Sequence, residues 1–157
     1  MPPPTPRRVV LDGNIFSNLN RGNKAVANAL MAMRAAGVEI YVSEHAYQEH
    51  VVNPAMRRLP RSAELVMAAF DIKRTGPADP AIAAQMTAAN IQGKKTVLSD
   101  LDLRVAIDAR TKSAEVWSVD GGFANNAPAV KAHLGVDVAP ESAIKAMNGQ
   151  QDYRVAR

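Results

Sequence analysis

Short apolar runs alternate along the chain with longer Ala- and Met-rich stretches, and this alternation predicts an α/β fold. Arg8-Val9-Val10-Leu11 has the β-branched, continuously apolar character of a buried strand, and Asp12-Gly13-Asn14 follows it as a turn. Residues 23–36 contain no breaker and predict a helix that stops at Gly37. Val38-Glu39-Ile40-Tyr41-Val42 reads as a second strand. Ser43 can cap a helix to about Leu59, Pro60 ends it, and a further helix fits 61–73. Thr75-Gly76-Pro77 is a loop, and Asp79 and Pro80 are a cap and first position for a helix over 80–91. Gly93-Lys94-Lys95 is a turn, and Ser99-Asp100-Leu101-Asp102 opens a helix to about Thr111. The run 114–119 is a third strand, 127–133 a short helix, and Val136-Asp137-Val138 a short fourth strand. Strands alternating with helices form right-handed βαβ units, so the sheet is parallel with helices on both faces. The helical segments between the second and third strands form an inserted helical arm.

Length and composition narrow this picture. The 157 residues suit one domain, and 47% apolar with 22% charged residues is a globular balance. Residues 1–6, with four prolines, read as a tail or linker; the folded domain is expected over 7–148 and a C-terminal tail over 149–157. The absence of Cys excludes a disulfide scaffold, a thiolate zinc site and a cysteine nucleophile. No run approaches the roughly 18 apolar residues of a membrane span. Aromatics make up 4%, which disfavours a surface that grips single strands mainly by stacking. The net charge of +4 points weakly to an anionic partner.

Ligands of an open parallel sheet bind beyond the carboxyl ends of its strands. Asp12 directly follows the first strand and Asp120 the third, so both are expected at that edge. Glu44 and Glu49 lie in the helix leaving the second strand. Asp100 and Asp102 lie in the first turn of the helix before the third, and spacing alone leaves open whether they join the others. Each acid also has a local reading: an Asx turn for Asp12, a cap partnership with Ser99 for Asp102, a turn before Gly121-Gly122 for Asp120. Together they suit a hard Mg²⁺ or Mn²⁺ ion, which prefers oxygen ligands. His45 and His50 flank Glu49, but their spacing of five separates them around a helix, so carboxylates are the stronger ligand candidates. Arg104 is one turn from both Asp100 and Asp108, a spacing for local ion pairs. Tyr41 and Trp117 read as packing residues.

Four stretches in register resemble the PIN-domain nucleases, including the toxins of bacterial toxin–antitoxin pairs. They are Val-Val-Leu-Asp12-Gly13-Asn14, Ser43 with Glu49 six residues later, Asp102-Leu-Arg-Val-Ala106-Ile-Asp-Ala109, and Ser118-Val119-Asp120-Gly121-Gly122-Phe123. Gly13 departs from the Thr or Ser common in that family. The resemblance covers roughly residues 7–141. It implies a three-layer α/β/α PIN-like fold with a short parallel sheet of about four to five strands, and a return of the third acid to the shared cleft. It implies that Asp12, Glu49, Asp102 and Asp120 are catalytic and metal-binding, with Asn14 and Ser118 in support and Glu44 and Asp100 competing for two of the roles. One or two Mg²⁺ or Mn²⁺ ions would serve hydrolysis of RNA to a 5′-phosphate and a 3′-hydroxyl. Arg57, Arg58, Arg61, Lys94 and Lys95, with Lys73-Arg74, are candidate phosphate contacts for RNA, tRNA or another structured RNA. The implied partner is a cognate antitoxin, or an immunity protein if the chain is the C-terminal module of a larger secreted toxin; a homodimer is allowed. Action is expected in the bacterial cytoplasm. The alternatives are a non-catalytic PIN-like RNA-binding domain and a haloacid-dehalogenase-like phosphatase. The phosphatase is weakened by Asn14, which stands where its second Asp belongs. A nucleotide-binding module is weaker still, because no Gly-rich loop follows the first strand.

Overall fold

The computed structural model describes residues 7–20, 22–49, 63–118, 123 and 125–139. Its elements are β1 (Arg8–Leu11), α1 (Gly13–Asn20), α2 (Lys24–Ala35), β2 (Glu39–Val42), α3 (Glu44–Tyr47), α4 (Ala63–Ala69), β3 (Lys73–Arg74), α5 (Pro80–Ala89), β4 (Ile91–Gln92), β5 (Lys95–Thr96), α6 (Asp100–Thr111), β6 (Glu115–Trp117) and α7 (Ala127–Ala129), which continues as a π-helical turn, Val130–Leu134. The tails over 1–6 and 149–157, the helix beyond Glu49 and the end of the third strand lie outside the described residues.

Four strands form one parallel sheet in the order β3-β2-β1-β6. Side chains alternate across a strand, and this alternation divides the core in two. Val9, Leu11, Ile40, Val42 and Trp117 pack with Ile15 and Leu19 of α1 and Val26 and Leu30 of α2 on one face. Val10, Tyr41 and Val116 pack with Met86 of α5, Leu103 and Ala106 of α6, and Leu134 on the other. The result is the three-layer α/β/α fold read from the sequence, with four strands in the sheet. The expected fourth strand at 136–138 contributes only an isolated bridge, Val116 to Val138.

The boundaries follow from local chemistry. Asn23 accepts hydrogen bonds from the N–H groups of Ala25 and Val26 and starts α2. Gly37, at φ 85°, ends it: the Gly37 N–H reaches Arg34 O and the Val38 N–H reaches Met33 O at 2.9 Å. Those two bonds make a Schellman motif, which needs a left-handed residue at this point.

Three elements differ from the sequence reading. Residues 13–20 form α1, where the sequence reading has a turn over Asp12-Gly13-Asn14. Gly, Asn and Ser are poor helix formers, and the helix forms because Ile15 and Leu19 are buried against the sheet. The helix expected over 61–73 ends at Ala69, and Lys73-Arg74 pairs with β2 as an edge strand; two exposed cations suit an edge that must resist further pairing. Gly93 and Lys94 turn a small antiparallel hairpin, β4–β5. Gly93 has φ 61°, the conformation that the first central residue of a type II′ turn requires. The hairpin is fastened by the buried Asn90, whose Nδ2 donates to Leu98 O and whose Oδ1 accepts the Leu98 N–H, both at 2.9 Å.

Candidate active site

The carboxyl edge of the sheet carries Asp12. Its backbone N–H donates to Trp117 O at 3.0 Å, which ties the end of β1 to the end of β6. Its side chain is 9% exposed and fixed at both oxygens: Ser118 Oγ donates to Oδ2 at 2.8 Å, and the Gly13 N–H donates to Oδ1 at 2.7 Å. Asn14 Nδ2 donates to Ser118 Oγ at 3.2 Å. The Gly13 contact is local, to the next residue, and it sits within a network of three polar side chains at two adjacent strand ends. Asn14 and Ser118 stand where the sequence motifs put them.

Glu49 follows α3, which Ser43 caps by accepting the Ala46 N–H at 3.2 Å. His45 Nε2, one turn earlier, lies 2.9 Å from Glu49 Oε1, a close approach without hydrogen-bond alignment, since that nitrogen is buried with no hydrogen-bond partner. Glu44 is committed elsewhere. Arg74 grips its carboxylate through both Nε and Nη2, and Gln48 Nε2 donates to it at 2.9 Å. The Arg74 hydrogen bond holds the Glu44 carboxyl below its ordinary value.

The position of the third acid, open on spacing alone, follows from the direction of α6. Arg8, at the start of β1, donates to Lys112 O at the C-terminal end of α6, at 3.1 Å. Asp108, farther back, accepts the N–H of Glu44 at the end of β2, at 3.0 Å. The helix thus runs antiparallel to the strands and starts at their carboxyl edge. Asp102, six residues before Asp108, is about 9 Å farther along the axis. Its N–H donates to the cap Ser99 at 3.3 Å, as the local reading of that pair expects; Asp100 is exposed.

Among the described residues no three His, Asp or Glu side chains converge closely enough to hold a metal ion. Asp120 lies outside the described residues, as do His50, Arg57, Arg58 and Arg61. Asp12, already oriented by its neighbours, is a hard oxygen donor of the kind that Mg²⁺ or Mn²⁺ prefers. Arg74, one of the candidate phosphate contacts, is engaged by Glu44. One expectation needs correction. Arg104 forms no ion pair with Asp100 or Asp108; it lines a cavity instead.

Sequence reading missed Asp108, the most perturbed group described. It is 6% exposed, and the Glu44 N–H it accepts is shared with Thr75 Oγ1 at 2.9 Å. Burial pushes its carboxyl up from 3.8 to about 6; the nearby Glu44 charge adds to this, while hydrogen bonds from Glu44 N–H and Thr75 oppose it. The available signal was an Asp inside the unbroken run Val105–Ala109. Because the folded pKa exceeds the unfolded one, the group's contribution to stability is fully present below about pH 4 and is lost as pH rises through about 6. Asp108→Asn keeps an oxygen for the Glu44 N–H and removes the buried charge. It is expected to gain roughly 1–2 kcal/mol at pH 7 relative to wild type and to lose that advantage by pH 4. Urea unfolding across that range checks this; a difference between the two proteins that does not vary with pH refutes it.

A parallel sheet of this order between two helical layers is consistent with a PIN-like three-layer fold. A chain of VapBC2 from Rickettsia felis, solved bound to a DNA fragment from their promoter, shares it: the TM-score is 0.59 at 15% identity, over 85% of this chain and 98% of that one. No family model matches the sequence, and no curated protein does. No helix among the described residues is long and apolar enough to cross a membrane.

Proposed function

We propose that the chain is a metal-dependent endoribonuclease of the toxin type. The observation that carries this reading is Asp12: a carboxylate at the end of a central strand, held by Ser118 and Gly13 with Asn14 behind, in a PIN-like fold. Asp12, Glu49, Asp102 and Asp120 would hold one or two Mg²⁺ or Mn²⁺ ions, which supply charge neutralisation and activation of water when bound. The protein's own contribution is to fix the orientation of the first acid through the Ser118 hydroxyl and to bring α3 and α6 to the same edge. Fold similarity to VapBC2, a toxin–antitoxin complex, supports a protein partner that keeps the activity silent, an antitoxin or an immunity protein.

The decisive experiment is cleavage of RNA by the purified protein with Mn²⁺ or Mg²⁺ and with EDTA. Metal-dependent internal cleavage is expected, and no cleavage with either ion refutes the reading. Lys94 and Lys95 are exposed on the hairpin that the Asn90 clamp holds just before the α6 cap, which supports reading them as phosphate contacts. Replacing both by Gln is expected to weaken RNA binding and to reduce the slope of log K against log salt by about 0.7 for each phosphate the variant leaves unneutralised. An unchanged slope removes the hairpin from the RNA path.

A further inference from the structure

Asp108 sits on the buried face of α6 between Ile107 and Ala109, and at 6% exposure it presents little surface to a substrate. A carboxylate in such a place costs more than a neutral side chain, because burial penalises the charge. What it does there is structural and specific. Its Oδ2 accepts the N–H of Glu44, the first residue of α3, at 3.0 Å. Thr75 Oγ1 accepts the same N–H at 2.9 Å. The Thr75 N–H in turn donates to Val42 O at 3.1 Å, so the hydroxyl is fixed to the end of β2. The start of α3 is thus held from two sides, by the sheet through Thr75 and by α6 through Asp108. Each of these two helices leads to a proposed acid: Glu49 lies two residues past the end of α3, and Asp102 is in the first turn of α6. Asp12, by contrast, is set by its own strand and by Ser118.

We propose that Asp108 is a positioning residue, whose bond to the Glu44 N–H sets Glu49 and Asp102 against each other at the acidic edge. The inference rests on the nuclease reading and deepens it by naming what aligns the second and third acids. Leverage makes one bond matter. Asp102 lies about 9 Å along the helix axis from Asp108, so a tilt of about 10° at the joint moves it by about 1.5 Å. A displacement of about 1 Å at a reacting centre costs on the order of 10²-fold in rate. The joint needs an acceptor oxygen and not a charge, since a backbone N–H is satisfied by a carboxylate or by a side-chain amide.

The test compares Asp108→Ala, which removes the acceptor, with Asp108→Asn, which keeps it. Two properties of the full chain are measured well below its melting point: Mn²⁺ binding, from the EPR signal of the free ion, and the kcat and KM of RNA cleavage. Asp108→Ala is expected to bind Mn²⁺ about tenfold more weakly and to lose about 10–100-fold in kcat, with KM changed by less than about twofold. Asp108→Asn should match wild type in both, even though its stability at pH 7 differs. A purely structural role would move stability and leave Mn²⁺ affinity and kcat in place. Thr75→Val, nearly isosteric, removes the other acceptor and should weaken Mn²⁺ binding about threefold; it decides the matter if Asp108→Ala does not fold. Wild-type Mn²⁺ affinity and kcat in Asp108→Ala, or in Thr75→Val where the first variant does not fold, overturns the inference. So does a loss in Asp108→Asn as large as that in Asp108→Ala, which would make the charge itself the active feature. The expected order of Mn²⁺ affinities in a protein that cleaves no RNA would count against the nuclease reading alone, and RNA cleavage that Asp108→Ala retains in full would count against the positioning role alone. A wild-type protein that neither binds Mn²⁺ nor cleaves RNA overturns both.

Discussion

Asp12→Asn should lower RNA cleavage by on the order of 10²–10³-fold or more while leaving the protein folded, since removal of one preorganised electrostatic group at a reacting centre has effects of this size. Asn is nearly isosteric and can still accept the Ser118 hydroxyl. The substitution removes the negative charge and turns one oxygen, now facing the Gly13 N–H, into an amide nitrogen or forces the side chain to flip. Ser118→Ala acts one step away: the carboxylate keeps its charge but loses the 2.8 Å donor that orients it, so a loss of about 10–100-fold is expected. The ordering matters as much as the sizes. A merely structural Asp12 would give two variants with similar losses that track their melting temperatures. Single-turnover cleavage with Mn²⁺, measured beside thermal melts, separates the cases, and wild-type cleavage by Asp12→Asn sinks the assignment.

The parts of this fold that could be read from sequence are those where a local pattern and the tertiary environment agree. β1 and β2 are continuous apolar runs because both faces of a parallel strand are covered, and α2, α5 and α6 have a cap residue at their starts. α1 was hidden because its residues are weak helix formers and only packing of Ile15 and Leu19 makes it a helix. β3, β4 and β5 were hidden because two-residue strands carry too few positions for an alternation, and five of their six residues are polar or charged. The positions of Asp12 and Ser118 were legible because each directly follows a strand, and Asn14 lies two residues on, in the first turn of α1. Arg104 was misread for the opposite reason. Helical spacing offers it two acids one turn away, but Asp108 is turned into the protein to take the Glu44 N–H. A one-dimensional pattern does not distinguish a buried acid from a solvated one on the same helix.

Trp117→Ala is expected to cost about 3–5 kcal/mol, the range for removing a large buried aromatic from a packed core. Trp117 is 2% exposed and is among the largest side chains fully enclosed in the protein. It packs with Val9, Leu11 and Val42 on the α1–α2 face of the sheet. Among the described residues β6 pairs with β1, bridges from Val116 to Val138 and is held at Glu115 by Arg7, so the packing of Trp117 carries much of its attachment on the α1–α2 face. Small domains have a total stability of roughly 5–15 kcal/mol, so this one change removes a large share of it. The consequence reaches the site through the backbone. The Trp117 carbonyl accepts the Asp12 N–H, and Ser118, the next residue, holds the Asp12 carboxylate. A cavity beneath Trp117 therefore loosens the two strand ends that set the first acid, and cleavage should fall even at temperatures where the variant is still folded. Trp117→Phe retains most of the apolar volume and should be much milder in both respects. Urea unfolding gives the stability difference, and cleavage well below the melting point gives the second effect. A loss under about 1 kcal/mol for Trp117→Ala would mean that β6 is held mainly by its backbone ladder, and full cleavage by the folded variant would uncouple this packing from the acidic edge.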